Sequence, residues 1–337
     1  MHSDILILKH HEIASILRGR ELELIHIVRK AYEAHALGDS PLPHSTFLRF
    51  PNNDRDRIVA LPAYLGAGFN VAGIKWVSSF PENINSGIDR ASAVIVLNSM
   101  LTGRPEAILE GSIISAKRTA ASGALAAQTL SRGKEVSTVG LIGCGVINFE
   151  IARFLLAALP AIENLIVFDL DSDRATAFKK KCKSLGEVQV QAAGRLGEVF
   201  EKAALISLAT TATKPHISDL PKCSSDSTIL HISLRDLSPE VILSSDNIVD
   251  DVDHVCRAQT SVHLAEQMTG DRSFIRGTLA EITLDKIPAR QVNKGATIFS
   301  PFGLGVLDIA VAKMVCDRAS SQEVGTLIAS FLPDPWS

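Results

Sequence analysis

What this sequence lacks narrows it first. Lysine and arginine number 34 against 37 aspartates and glutamates, a formal net charge of −3, so no surplus of cations exists to neutralise nucleic-acid phosphates or an anionic membrane. Nucleic acid is excluded as an expected partner. The five cysteines, Cys144, Cys182, Cys223, Cys256 and Cys316, are odd in number, scattered, and without C-x-x-C or Cys/His zinc spacing. That excludes a disulfide framework and a structural metal site, and it predicts a reducing, cytoplasmic setting. No apolar run approaches bilayer length, and the opening MHSDILILKHHEIASIL has neither the basic head nor the cleavage site of a signal peptide, so no membrane association is expected. Internal repeats, low-complexity tracts and long charged linkers are missing as well. What remains is a chain of 337 residues, 46% apolar and 21% charged, long enough for two domains with ordinary cores.

Two rhythms divide it. From the start to about Gly111 short β-branched runs dominate: ILIL (Ile5 to Leu8), STFLRF (Ser45 to Phe50), RIVALPAYL (Arg57 to Leu65), NVAGIKWVSS (Asn70 to Ser79), ASAVIVLNS (Ala91 to Ser99) and PEAILEG (Pro105 to Gly111). One helical pattern, about Arg20 to Leu37, interrupts them, and the whole predicts a mainly antiparallel sheet. An Ala-rich helix from Ser112, stopped by Gly133, marks the domain crossing. Beyond it strands and helices alternate as far as NIVDD (Asn247 to Asp251), the pattern of a parallel, doubly wound sheet. The closing SPFGLGVLDIAVAKMVCDRASSQEVGTLI predicts a Ser-Pro helix entry, a helix to about Ala319, and a second short helix. The expected fold is therefore α/β: a Rossmann-type domain, residues 116–305, and a mixed α+β substrate and dimerisation domain, residues 1–115 joined by 306–337.

Within the alternating half, TVGLIGCGVINFEIARFLLAAL raises a specific possibility. Gly143 and Gly145 follow an apolar strand and open an apolar helix, as in the dinucleotide fingerprint G-x-G-x-x-G/A. Asp169 ends the next strand, where a carboxylate bonds ribose hydroxyls and repels a 2′-phosphate, so NAD is expected over NADP. The third fingerprint position is Asn148, bulkier than Gly or Ala, and predicts a helix seated slightly further from the sheet. A plain strand-to-helix turn in a domain binding something else is the competing reading. Cys144 reads as a packing residue rather than a nucleophile.

Candidate chemistry falls on a few charged residues in apolar settings. Lys75, inside VAGIKWV, must lie at a sheet edge or face a polar cavity, unless it snorkels to the surface. Arg49 stands at an exposed strand end, and Arg118 near the start of the Ala-rich helix, either to fork onto a carboxylate or as a solvated surface residue. Asp236, in HISLRDLSPE, follows a buried strand at the carboxyl edge of the parallel sheet, where such folds bind ligands, or else is a turn residue. The acidic run Asp250 to His254 reads as a solvated loop rather than a metal site.

Taken together, GIKWVSSFPENINSG with RASAVIVLNS, EGSIISAKRTAAS, GLIGCGVINFE and SPFGLGVLDIA resemble the ornithine cyclodeaminase/μ-crystallin family over essentially the whole chain. The resemblance implies NAD bound by Gly143, Gly145, Val146, Ile147, Asp169, Thr119 and Thr210, a small amino-acid substrate held by Arg49, Arg118 and Glu240, catalysis by Lys75 and Asp236, and a homodimer formed through the first domain's sheet. Cyclodeaminases carry Lys in a C-P-G-K-like turn four residues after their catalytic Asp. Here the turn is DLSPE and the position Glu240, which resembles instead the branch that oxidises N-(2-amino-2-carboxyethyl)-L-glutamate to L-2,3-diaminopropionate and 2-oxoglutarate for staphyloferrin B-type siderophores. Asp236 would then move protons at the amine and water. Ornithine or lysine cyclodeamination, cyclic-imine reduction, and non-catalytic ligand binding of the μ-crystallin type are the rivals.

Overall fold

The computed structural model describes residues 3–220, 222–291 and 294–333, so the first two and last four residues of the expected first domain lie outside it. The chain divides into two compact units, Met1–Arg118 with Leu304–Ser337, and Thr119–Gly303.

In the first unit the strands are β1 (Ile5–Leu8), β2 (Thr46–Phe50), β3 (Asn53–Leu65), β4 (Val71–Ser79), β5 (Ala91–Asn98) and β6 (Pro105–Glu110). Its helices are α1 (His10–Leu17), α2 (Glu21–Ala36), the first turns of α3 (Ser112–Leu130) and, after the excursion into the second unit, α11 (Gly305–Ser321), followed by β15 (Thr326–Ile328). These strands form one sheet in the order β15-β1-β6-β5-β4-β3-β2, antiparallel except where β1 runs parallel to β6. The second short helix expected at the end is strand β15, because Thr326, Leu327 and Ile328 complete the free edge of β1. The helix before it begins at Gly305 rather than at Ser300-Pro301, since Ser300 closes a strand.

Sheet residues alternate between two faces, and one face is the core side. Leu61, Lys75, Ile95 and Leu109 lie opposite one another across β3, β4, β5 and β6, all buried. Helix α11, apolar on almost every side, covers this row, and its first residue comes so near β3 that a Cβ on Gly305 would stand 3.1 Å from Leu61 O.

The second unit holds a sheet of eight strands, all parallel: β7 (Thr138–Ile142), β8 (Asn164–Phe168), β9 (Gln189–Ala192), β10 (Leu205–Leu208), β11 (Thr228–His231), β12 (Asp246–Val249), β13 (Ile275–Thr278) and β14 (Thr297–Ser300). Their order is β13-β12-β14-β11-β10-β7-β8-β9. The remaining helices are α4 (Val146–Ala158), α5 (Ser172–Cys182), α6 (Leu196–Lys202), α7 (Pro239–Leu243), α8 (Val252–Val255), α9 (Ser261–Thr269) and α10 (Leu279–Thr283). Strands β10, β11, β12 and β14 are buried at every position, as expected where helices cover both faces. The strand order reverses between β7 and β10, which opens a crevice at their carboxyl ends, the ligand site of open α/β sheets.

Candidate active site

Gly143 sits at that reversal. Its φ of +92° suits glycine, and a Cβ there would lie 2.5 Å from Ala209 O at the end of β10, so only glycine lets the two strand ends approach. Gly145 is different: a Cβ would meet nothing within 4 Å, so its backbone borders open space. It is the N-cap of α4, and no side chain caps that helix. The first-turn amides, those of exposed Val146 and half-buried Ile147 among them, are left to an anion favoured by the helix dipole.

Asn148 is bonded into the glycine turn. It is wholly buried, its Nδ2 donates to Ile142 O at 2.8 Å and Gly143 O at 2.7 Å, and its Oδ1 accepts from Ser207 Oγ at 2.7 Å. On the other side of the same peptide, Cys144 N–H donates to Asp169 Oδ2 at 2.7 Å. The Gly143–Cys144 peptide is thus clamped from both ends. Asp169 Oδ1 also accepts from Asp171 N at 3.1 Å, while Asp171 caps α5, so of the neighbouring acids Asp169 alone is bonded to the loop. Burial first, then Asp169, pushes the Cys144 thiol up to about 12, in keeping with a packing role.

At the same carboxyl edge Asp236 is wholly buried. Its carboxylate accepts from Thr210 Oγ1 and Ser233 Oγ and lies 3.2 Å from His216 Nε2, while its N–H donates to His231 Nε2 at 3.2 Å. Burial alone would raise its pKa, but the imidazole of His231 beside it and the hydrogen bonds from Ser233 and Thr210 outweigh it and hold the carboxyl well below the usual range. At neutral pH Asp236 is therefore an anion, and the half-exposed imidazole of His216 lies beside it. Nothing in the sequence pattern singled out His216, His231 or Ser233.

Glu240 follows four residues after Asp236. It is exposed in the first turn of α7 and lines a cavity of about 470 Å³ with Cys223, Ser244, Ser245 and Gly295, residues next to the amino ends of β11, β12 and β14. Thr119 is half-buried on α3.

In the first unit Lys75 is neither at an edge nor at the surface, for β4 lies between β5 and β3. Its Nζ donates to Asp308 Oδ2 at 2.7 Å and to Ser115 Oγ at 3.2 Å, and Arg118 Nε donates to Asp308 Oδ1 at 3.0 Å. Among the described residues Asp308 is the one carboxylate paired with either cation. Burial, with Arg118 nearby, pulls Lys75 down to about 8, and Asp308 opposes the fall. Sequence reasoning passed over Asp308, although a lone carboxylate inside GVLDIAVA was a signal. Arg49 is exposed on edge strand β2, its guanidinium 5.5 Å from the Phe47 ring centre.

A doubly wound unit with a clamped glycine loop, open first-turn amides and Asp169 beside them fits a nicotinamide dinucleotide, which makes this an NAD-dependent oxidoreductase. The chain belongs to the ornithine cyclodeaminase/mu-crystallin family, whose model matches residues 4–323. It is 27% identical over 335 residues to the N-((2S)-2-amino-2-carboxyethyl)-L-glutamate dehydrogenase of Staphylococcus aureus, covering 97% of this chain and 99% of that one. Among solved structures it is similar to the Δ1-pyrroline-2-carboxylate reductase of Thermococcus litoralis in complex with NADH and L-proline, with a TM-score of 0.86 at 28% identity over 96% of this chain and 99% of that one. It is also similar to an archaeal alanine dehydrogenase dimer with bound NAD, at a TM-score of 0.85 and 26% identity over 96% and 99% of the two chains.

Proposed function

We propose that this protein oxidises and hydrolyses N-(2-amino-2-carboxyethyl)-L-glutamate to L-2,3-diaminopropionate and 2-oxoglutarate with formation of NADH, a reaction suited to supplying a siderophore or antibiotic precursor. The observation that carries the reading is the Lys75–Asp308–Arg118 cluster: two basic side chains, screened from water, share one carboxylate, so that Arg118 and Asp308 offset each other's charge and Lys75 is left to take a proton. The whole-length similarity to the Staphylococcus aureus dehydrogenase supports the choice of substrate.

The glycine loop and Asp169 would hold NAD⁺, which would supply the hydride acceptor. Arg118 and Arg49 orient carboxylates by charge-assisted hydrogen bonds. Lys75, lowered to about 8, has a neutral fraction at working pH and accepts the secondary amine's proton as the Cα–H bond breaks. The C=N bond so formed takes up water and its carbon–nitrogen bond breaks, giving the keto acid and the primary amine. Asp236 stays ionised and holds Thr210, Ser233 and His216 in place.

Reduced-nicotinamide absorbance, with products identified by mass spectrometry, decides among the readings. Net NADH with diaminopropionate and 2-oxoglutarate establishes this one. Proline and ammonia from L-ornithine without net NADH would move the protein to the cyclodeaminases, and consumption of reduced nicotinamide with Δ1-pyrroline-2-carboxylate alone would make it a cyclic-imine reductase. Tight cofactor binding with no turnover of any of them would leave a ligand-binding protein.

A further inference from the structure

Three bonds join His216 and Ile217 to Asp236: His216 N and Ile217 N both donate to Asp236 O at 2.9 Å, and the His216 ring Nε2 lies 3.2 Å from Asp236 Oδ1. The same carboxylate oxygen accepts from Thr210 Oγ1, which itself accepts from Ala212 N at 3.1 Å, and the other oxygen accepts from Ser233 Oγ. Backbone and side chain thus fix the imidazole against the carboxylate. An anion in that place takes the hydrogen of Nε2 and leaves the lone pair of the neutral ring on Nδ1. Among the described residues no other group bonds the His216 ring, and 44% of the side chain is exposed.

The surroundings of this pair are those of a ligand site. Thr210 stands just past the end of β10, which meets Gly143 of the glycine loop, and Ser233 N donates to Leu208 O at 3.0 Å. The pair therefore borders the carboxyl edge of the sheet, where open α/β folds bind ligands. Leu234, between Ser233 and Asp236, has a φ of +66°, a conformation rare for a residue with a Cβ and one that gathers at active sites. Its carbonyl accepts from Ser261 N at 2.7 Å, which holds the turn in place. A carboxylate that already accepts several hydrogen bonds is a weak base, whereas imidazole is the commonest general base in enzymes. Hydrolysis needs a base that water can reach, and His216 meets that requirement.

We propose that His216, oriented by Asp236, is the base that takes a proton from the water that hydrolyses the C=N bond. The inference rests on the proposed reaction, which supplies that bond. The water oxygen bonds to carbon as its proton passes to Nδ1, and the electron pair of C=N moves to nitrogen, which takes the proton from the imidazolium. The hydroxyl proton of the resulting carbinolamine then passes by the same ring to nitrogen. The carbon–nitrogen bond breaks with its electrons on nitrogen, and keto acid and primary amine separate. Asp236 stays anionic throughout, holds the ring in one tautomer and stabilises the imidazolium that forms.

The test times the two halves of the reaction separately. With enzyme in excess, NAD⁺ and N-(2-amino-2-carboxyethyl)-L-glutamate are mixed with wild type or with His216→Gln, whose amide can still donate to Asp236. NADH is followed by absorbance and diaminopropionate by rapid quench and mass spectrometry. Wild type should form the two together. In His216→Gln, NADH should form within about twofold of the wild-type rate while diaminopropionate lags by about 100-fold, the range for a lost general base. Borodeuteride added during the lag should return the intermediate as deuterium-labelled substrate, which marks the unhydrolysed C=N bond. The same timing in variant and wild type overturns the assignment and leaves the proposed reaction standing. So does a variant in which hydride transfer and hydrolysis slow together, since His216 would then serve the cofactor site or the fold alone. If wild type forms no NADH, the proposed reaction falls and the base with it, a result that neither of the other two resembles.

Discussion

Lys75 and Asp308, 233 residues apart in sequence, meet at 2.7 Å with side-chain exposures of 2% and 0%. A lysine so placed is stabilised as an ammonium by the carboxylate and destabilised by burial, and the burial is the larger effect. Asp308→Asn removes the stabilising part, so Lys75 should fall further below about 8. With neutral Lys75 as the active form, kcat/KM of the wild type rises with pH through about 8, and in Asp308→Asn the rise should move to lower pH. A pH–rate profile in which the midpoint stays put would remove Lys75 as the proton acceptor. Asp308→Ala strands two buried cations and should cost about 3 kcal/mol, read as a fall in melting temperature.

Asn148 uses both amide hydrogens and its carbonyl oxygen within the protein. Asn148→Ala leaves Ile142 O, Gly143 O and Ser207 Oγ without that partner and frees one end of the Gly143–Cys144 peptide. NADH titration by fluorescence should show Kd raised about tenfold, corresponding to one to two net hydrogen bonds. Ser207→Ala should weaken binding less, because the two bonds to the glycine turn remain. Equal affinity in wild type and Asn148→Ala would show that the clamp has no part in cofactor binding.

Asp250, buried at the end of β12, accepts from Phe302 N–H at 2.8 Å and Gly303 N–H at 2.7 Å. Burial still dominates and raises it from 3.8 to about 6. Between those values the folded protein binds more protons than the unfolded chain, so this group's contribution is fully present below about 3.8 and is lost as pH rises through about 6. The stability advantage of wild type over Asp250→Asn should therefore shrink by about 3 kcal/mol between these limits in urea titrations. A constant difference would mean that Asp250 has an ordinary pKa.

The sheet face turned away from Lys75 exposes Trp76, Val94 and Leu48, with Trp76 directly opposite Val94. An apolar surface of this kind on a sheet marks an interaction site, and we propose that it is where two copies of this chain would pair. Trp76→Glu should give a monomer at micromolar concentration by light scattering, with NADH affinity retained. A Trp76→Glu dimer as stable as wild type would place the interface elsewhere.

Much of this was legible without coordinates. Runs such as RIVALPAYL and ASAVIVLNS became β3 and β5 because β-branched alternation dictates a half-buried strand locally. The strand–glycine–helix order around Gly143 likewise follows from neighbouring residues, and so does the position of Asp169 at the end of the next strand. The tertiary structure decided the rest. Whether TLI became helix or strand depended on the free edge of β1. Asn148 turned from an intrusion into a clamp because Ser207 came within reach. Lys75 acquired its chemistry from Asp308, at the opposite end of the chain. Periodicity reports which side of an element is apolar, whereas the protonation of a buried charge depends on which distant group the fold sets against it.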